Sequence, residues 1–235
     1  HHTLIIGAGH SGVTLAASLR TKNWKGPITL IGDENHLPYQ RPPLSKKALQ
    51  NVQFTEPTPL RPEKFYQENQ IQLIQNSRVT SIDPQNHTVQ YNKQTIRYDR
   101  LILATGSNPI TPAIPGLPNV KSYQLRTADD ANRLHNIINP SKHMLILGGG
   151  FIGLEVAASL RQRGIEVSLI EREPRILNRV AVPVVADFLK KTHLDNGVRI
   201  HCNATIDYIS KTSDQIILHS TTDQAYNGHE LIVGA

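Results

Sequence analysis

The chain has 235 residues and a formal net charge of +6, from 25 basic and 19 acidic side chains, and it contains one cysteine. One cysteine excludes a disulfide framework, a CxxC redox pair and a cysteine-rich metal site, and we expect no bound metal. No block of Lys and Arg predicts nucleic-acid binding, and no apolar run of about 18 residues predicts a membrane span. The length fits two small α/β domains, and we expect a cytoplasmic protein, since a turn beginning at residue 7 leaves no room for a signal peptide.

The first predicted element is a strand at residues 4–7, followed at once by a glycine-rich turn and an Ala-rich helix (TLIIGAGHSGVTLAASLR). In a GxGxxG turn the first glycine permits a sharp bend, the second lets a diphosphate approach the backbone, and the third lets the helix pack on the strand. The helix N-terminus adds free N–H groups and the positive end of its dipole. The alternative is an ordinary βα turn. The predicted cofactor contacts here are Gly7, Gly9, His10, Ser11 and Gly12.

The next predicted strand, at residues 28–31, should end near an acidic residue that binds the adenosine ribose. Gly32 stands at the expected position, and the acids follow it directly. We therefore predict Glu34, and after it Asp33, as the ribose ligand.

The remainder of the first half predicts a small antiparallel meander and a return to the parallel sheet. Short alternating runs occupy residues 79–82, 88–91 and 96–98, and residues 101–104 read as a strand. The Pro-rich stretch 109–118 predicts a linker. These boundaries give a first domain at residues 1–110 and a second at residues 111–235.

The second half begins with a helix that Thr127 can cap and that runs to about residue 138. It continues with a second copy of the turn, MLILGGGFIGLEVAASLR, which agrees with the first at 10 of 17 positions when residues 4–20 are aligned with 145–161. An internal repeat of this kind predicts two bound dinucleotides in one chain. The predicted contacts in the second copy are Gly148, Gly150, Phe151, Ile152 and Gly153.

In the second copy the strand that should carry the ribose acid ends in Glu171, close to the expected spacing of about 20 residues. A carboxylate there favours NAD over NADP, although Arg172 and Arg175 follow and could hold a 2′-phosphate. A helix at residues 184–196 and strands at 198–202, 204–209, 215–219 and 230–233 complete the chain. Gly234 is the last predicted cofactor contact, and Cys202 is expected to be a small buried side chain.

Three blocks of sequence point to a known family: HLPYQRPPLSK at residues 36–46, YDRLILATGSNP at 98–109 and GGGFIGLE at 148–155. Together they resemble the FAD-dependent NAD(P)H:ferredoxin reductases of ring-hydroxylating dioxygenase and cytochrome P450 systems, the putidaredoxin and rubredoxin reductase type. The resemblance implies an α/β fold of two Rossmann-like FAD/NAD(P)-binding domains of the glutathione-reductase type, the first with an antiparallel β-meander insertion. It also implies electron transfer from NADH through FAD to an acidic ferredoxin or rubredoxin.

The resemblance assigns roles residue by residue. It places Lys46 near the flavin N5 and Glu155 near the nicotinamide, as the catalytic pair, and it implies that they form an ion pair across the two domains. Val79 would meet the adenine through its backbone. Without the resemblance, Lys46 would be read as a solvated side chain and Glu155 as a partner of the helix dipole. The implied FAD contacts are Arg41, Pro42, Lys46, Val79, Thr105, Gly106 and Arg126.

The chain departs from the family pattern at its C-terminal side. Complete members continue with a Gly-Asp segment that returns to the flavin and with a further domain, so we expect the C-terminal part to be missing and, for a chain ending at Ala235, poor FAD retention. No cysteine lies near the RPPLSK block, which disfavours disulfide reduction. The alternatives are an NADH-sensing flavoprotein like the apoptosis-inducing factors, an inactive reductase fragment, and a nitrite-reductase-like flavin module, against which the PPLSK block argues.

Overall fold

The computed structural model describes residues 1–234. The first part of the chain contains β1 (Thr3–Ile6), α1 (His10–Thr21), β2 (Ile28–Ile31), α2 (Lys47–Gln50), α3 (Glu63–Glu68), β3 (Ile71–Ile74), β4 (Val79–Asp83), β5 (Thr88–Tyr91), β6 (Gln94–Arg97) and β7 (Arg100–Leu103). The second part contains β8 (Ser122–Tyr123), α4 (Ala128–Ile137), β9 (His143–Leu147), α5 (Phe151–Gln162), β10 (Glu166–Ile170), α6 (Pro183–Asp195), β11 (Val198–His201), β12 (Ile206–Lys211), β13 (Ile216–Ser220), β14 (Ala225–Gly228) and β15 (Glu230–Val233). Among these helices none is both long and apolar enough to cross a membrane.

The described chain divides into two compact units. The first unit comprises residues 1–40 and 57–107, and the second comprises residues 41–56 and 108–235. The RPPLSK block therefore belongs to the second unit. Leu49 of α2 accounts for this grouping, because it is fully buried in the hydrophobic cluster that α5 and the second parallel sheet form.

The first unit is built on a four-stranded parallel sheet in the order β3-β2-β1-β7. All four residues of β1 and of β2 are buried, as expected for central strands of a parallel sheet covered on both faces. Helix α1 packs on this sheet through Gly12, Val13 and Ala16. The antiparallel sheet β4-β5-β6 packs on Leu4, Ile6 and Ile31 through the buried Val89.

The second unit repeats this plan. Its parallel sheet has the order β11-β10-β9-β15-β8. The central strand, β9, precedes the second glycine turn, and it pairs with β10 on one side and with β15, the strand after the meander, on the other. Helix α5 covers one face, and the antiparallel sheet β12-β13-β14 covers the other through Ile209, Ile216 and Leu218. Helix α4 begins with a capping box in which Thr127 and Asp130 bond each other's backbone N–H.

The predicted fold class is confirmed, and the differences are local. The sequence predicts an antiparallel meander in the first half only. The second unit also contains one, formed by β12, β13 and the unpredicted strand β14. Strand β3 also went unpredicted. The Pro-rich stretch contains a 3₁₀ turn at Leu117–Asn119, and it packs on the second unit, where Pro115 O accepts from the N–H of Ile209 at 2.8 Å.

Candidate dinucleotide-binding sites

The first glycine turn, residues 7–12, joins β1 to α1 with a geometry that only glycine satisfies at two positions. Gly7 has φ +112°, and a Cβ at this residue would lie 2.0 Å from Ala104 O. A Cβ at Gly12 would lie 2.0 Å from Gly7 O. The helix start therefore presses directly on the backbone of the turn, as the spacing predicts.

The second glycine turn, residues 148–153, has the same geometry. Gly148 has φ +112°, and a Cβ at Gly153 would lie 2.1 Å from Gly148 O. The hydrogen bonds from the turn to the neighbouring strand also match, since Gly7 N donates to Ile31 O and Gly148 N to Ile170 O, each at 2.8 Å. The internal repeat of the sequence is thus a repeat of backbone structure.

The middle glycine of each turn faces open space. A Cβ built on Gly9 has no heavy atom within 4 Å, and one built on Gly150 meets only Gly234 O at 3.8 Å. Both residues begin a helix without a side-chain cap, so the first backbone N–H groups of α1 and α5 point into this space. A diphosphate fits such a place, because it supplies the negative charge and acceptor oxygens that an uncapped helix start binds.

The side chains beside the two turns differ. Helix α1 starts with exposed His10 and Ser11, whereas α5 starts with Phe151 and Ile152, which are 57% and 40% exposed. Gly234 lies beside the second turn and donates its N–H to Leu147 O at 2.8 Å. Ala104 makes the matching bond to Ile6 O in the first unit, immediately before Thr105 and Gly106. The apolar start of α5 suits an uncharged ring of a ligand.

The predicted ribose acids have different surroundings in the two units. Glu171 Oε2 accepts from Gly149 N–H at 2.6 Å and its Oε1 from Glu173 N–H at 2.8 Å, so the carboxylate lies at the edge of the second glycine turn. In the first unit Glu34 accepts a hydrogen bond from the hydroxyl of Tyr39, and Asp33 lies 3.4 Å from Arg78 at an exposed position.

The shift of the acid in the first unit has a steric cause. A Cβ at Gly32, the position equivalent to Glu171, would lie 2.6 Å from the Cβ of Ala8. The second unit has the reverse pair, with Gly149 at the position of Ala8. In each unit, therefore, one residue of this contact is a glycine: Gly32 faces Ala8 in the first unit, and Gly149 faces Glu171 in the second.

Lys46 and Glu155 form the ion pair that the resemblance implies, but not across the two domains as that resemblance implied. Lys46 Nζ lies 2.7 Å from Glu155 Oε2, and the hydroxyl of Ser45 donates to the same oxygen at 2.5 Å. Ser45 is 2% exposed. The pair lies within the second unit, because residues 41–56 belong to it. A buried hydroxyl bonded to one oxygen of Glu155 fixes the carboxylate that holds the ammonium group.

Two side chains of α5 and its C-cap residue Arg163, spaced four residues apart, hold the segment 45–50, a contact that the sequence reasoning did not find. Glu155 bonds Ser45 and Lys46, and the hydroxyl of Ser159 donates to Ser45 O at 2.7 Å. Arg163 donates to Leu49 O at 3.2 Å. The spacing of positions 155, 159 and 163 on one helix face was the available signal. Residues 45–50 are thus fixed to the helix that begins at the second glycine turn.

The remaining predicted residues lie as follows. Arg41 donates to Arg126 O at 2.6 Å within the second unit, next to the start of the 3₁₀ turn Pro42–Ser45. Val79 begins β4 in the first unit. Cys202 is partly buried against the core of the second unit, and burial raises the pKa of its thiol, so it resembles a small apolar side chain.

The family model described as pyridine nucleotide-disulphide oxidoreductase matches residues 1–235. The chain belongs to this family. It is 38% identical over 232 residues to a Photorhabdus laumondii protein named 3-phenylpropionate/cinnamic acid dioxygenase ferredoxin--NAD(+) reductase component, covering 98% of this chain and 59% of that protein. The ferredoxin reductase for the CYP199A2 system from Rhodopseudomonas palustris is similar in structure, with TM-score 0.91, 37% identity, and coverage of 100% of this chain and 58% of that one.

The structure of the covalent putidaredoxin reductase-putidaredoxin complex is also similar, with TM-score 0.91, 31% identity, and coverage of 99% of this chain and 58% of that one. The chain therefore spans little more than half the length of these relatives. The chain has no cysteine near Ser45 that could form a disulphide, since Cys202 is the one cysteine of the sequence.

Proposed function

We propose that the protein is a flavoprotein oxidoreductase that passes electrons from NADH through FAD to an iron–sulfur protein of the ferredoxin or rubredoxin type. The observation that carries this proposal is the pair of glycine turns with the same backbone geometry, each leaving an uncapped helix start that faces open space. The names of the similar proteins, which include ferredoxin--NAD(+) reductase components and a rubredoxin-NAD(+) reductase, support the assignment of the two dinucleotides.

We assign FAD to the first domain, residues 1–110, and NAD to the second, residues 111–235. The diphosphate of FAD would meet Gly9 and the N-terminus of α1, with Thr105 and Gly106 adjacent in the same unit. The diphosphate of NAD would meet Gly150 and the N-terminus of α5, and Glu171 would accept hydrogen bonds from the ribose. The exposed Phe151 and Ile152 provide apolar contact beside that turn.

In this proposal Ser45 and Glu155 position the positive charge of Lys46. FAD, when bound, would supply the hydride-accepting and single-electron chemistry. The Lys46 ammonium would supply preorganised positive charge to bound FAD. Glu155 holds this ammonium at 2.7 Å, and Ser45 holds Glu155. Arg41 would stand beside the flavin, with its guanidinium positioned by Arg126 O.

The acceptor should be an acidic protein. The chain carries a net charge of +6, and complementary charge accelerates the encounter of electron-transfer partners. A cytoplasmic location is part of the proposal, because the free thiol of Cys202 stays reduced there.

Anaerobic titration of the purified flavin-bound protein with NADH tests this function. We expect the yellow absorbance of oxidised flavin to bleach on NADH addition and to return when an acidic ferredoxin is added, with reduction of the iron–sulfur absorbance. Flavin that dithionite reduces but NADH does not would overturn the proposal.

Variants separate the role of Lys46 from general effects of charge. Lys46→Met should slow the NADH-dependent bleaching, measured per bound flavin, at least about tenfold, the loss expected for one preorganised charge. Lys191→Met is the matched control, because this lysine is 75% exposed and pairs with Asp195 on the same helix, α6.

A further inference from the structure

The contact between Gly149 and Glu171 in the second unit differs from the equivalent contact between Ala8 and Gly32 in the first. This difference concerns the choice between NAD and NADP. In the second unit Gly149 faces Glu171, and in the first unit Ala8 faces Gly32. A Cβ at Gly149 would lie 3.0 Å from Glu171 Oε2, 3.3 Å from Glu171 Cβ and 3.1 Å from Ile176 Cγ2. A methyl group at residue 149 would therefore crowd the carboxylate, which would have to shift by a few tenths of an ångström.

The absence of that methyl group lets the turn hold the carboxylate. Glu171 receives one backbone hydrogen bond on each oxygen, from Gly149 N–H at 2.6 Å and from Glu173 N–H at 2.8 Å. Hydrogen bonds from backbone amides to a charged carboxylate are short and strong. Each oxygen keeps a further lone pair that can accept from a ribose hydroxyl.

Arg172 and Arg175 each contact a residue other than Glu171. Arg172 Nε lies 3.5 Å from Glu173 Oε1, and Arg175 donates to Asn178 O at 3.3 Å. Asn178 in turn donates to Glu173 Oε2 at 3.1 Å.

We propose that Gly149 is a specificity-determining residue for the coenzyme: its lack of a side chain lets the glycine turn fix the Glu171 carboxylate in place, and the fixed carboxylate rejects a 2′-phosphate. The inference rests on the proposed binding of NAD to the second glycine turn and deepens it. A carboxylate free to rotate could turn toward Arg172 and leave room for the phosphate. Held by two amides, it remains where a ribose 2′-substituent would lie.

Calorimetric titration with NAD⁺ and NADP⁺ tests the proposal without any catalytic step. The two ligands differ only in the 2′-phosphate, so the ratio of their Kd values isolates recognition at Glu171. The wild-type protein should bind NAD⁺ more tightly. Gly149→Ala should lower the preference about tenfold, the change expected for the loss of one hydrogen bond to a charged group.

The backbone does not confound this substitution. Gly149 lies outside the left-handed region, so alanine is compatible with its conformation. The double variant Gly149→Ala with Glu171→Gly places in the second unit the same pair of residues, alanine and glycine, that Ala8 and Gly32 form in the first. The fold accommodates this pair there. The double variant should lose the preference for NAD⁺, and equal melting temperatures of the variants would show that folding is intact.

Two controls make the outcome specific. Gly150→Ala should weaken both ligands by the same factor and leave their ratio unchanged, because its Cβ points into the space that we assign to the diphosphate. Ala8→Gly should leave both affinities unchanged. An unaltered Kd ratio in Gly149→Ala would overturn the proposal. If the wild-type protein bound neither ligand, the proposed function itself would fail instead.

Discussion

Substitution by alanine should change the stability of the first unit at Gly12 but not at Gly9. A Cβ at Gly12 would lie 2.0 Å from Gly7 O, and real Cβ atoms do not approach closer than 3.0 Å, so α1 would have to move away from the turn by about 1 Å. Overpacking against backbone costs up to about 3 kcal/mol, and the better helix propensity of alanine returns about 1 kcal/mol. Gly12→Ala should therefore destabilise the first unit by about 2 kcal/mol.

Gly9→Ala should leave the stability almost unchanged. A Cβ at Gly9 meets no heavy atom within 4 Å and the residue has φ −90°, which alanine adopts without strain. We expect a change within about 0.5 kcal/mol, typical of a surface substitution. The added methyl group should nevertheless abolish FAD binding, since it would fill the space in which the diphosphate approaches the backbone.

Urea unfolding followed by tryptophan fluorescence measures this difference in the right unit. Trp24 is the one tryptophan of the sequence and packs against the core of the first unit. A loss of about 2 kcal/mol corresponds to a fall of about 10 °C in Tm for a unit of this size. Equal destabilisation by Gly9→Ala and Gly12→Ala would refute the distinction between a packing glycine and a binding glycine.

Three further predictions concern stability. Tyr66→Phe should stabilise the first unit by about 1 kcal/mol in urea titration, because burial raises the pKa of Tyr66 to about 12 and its hydroxyl has no partner among the described residues; a loss of stability would contradict this. Thr127→Ala should cost the second unit about 1 kcal/mol by removing the cap of α4, measurable as a lower Tm, whereas Thr221→Ala should not. The melting temperature should also fall as the pH drops below 6.5, because burial lowers three histidine pKa values from this usual figure, so the unfolded chain binds more protons; a flat profile would contradict the assignment to His143, His193 and His201.

The parts of the fold that could be predicted are those with a strong local signal. The strands before the two glycine turns are short apolar runs, and the glycine spacing fixes the helix that follows, so β1, α1, β9 and α5 were all expected. The cap of α4 was equally visible, because Thr127 and Asp130 stand three residues apart.

The parts that could not be predicted depend on distant contacts. Strand β14 has the sequence AYNG, which has no strand pattern, and it forms because it pairs with the free edge of β13. The attachment of residues 41–56 to the second unit depends on the burial of Leu49 and on Glu155, Ser159 and Arg163, more than 100 residues away. The aligned repeat already shows that Ala8 and Gly32 in the first unit correspond to Gly149 and Glu171 in the second. Only the structure shows that the two residues of each pair are in contact.

The most direct test of the central claim is a crystal structure of the flavin-bound protein with NAD⁺. The account predicts one diphosphate within hydrogen-bond distance of the backbone N–H groups that begin α1, belonging to FAD, and a second at the start of α5, belonging to NAD⁺. Density for either diphosphate away from these helix starts, or for NAD⁺ at residues 7–12, would contradict the assignment of the two turns.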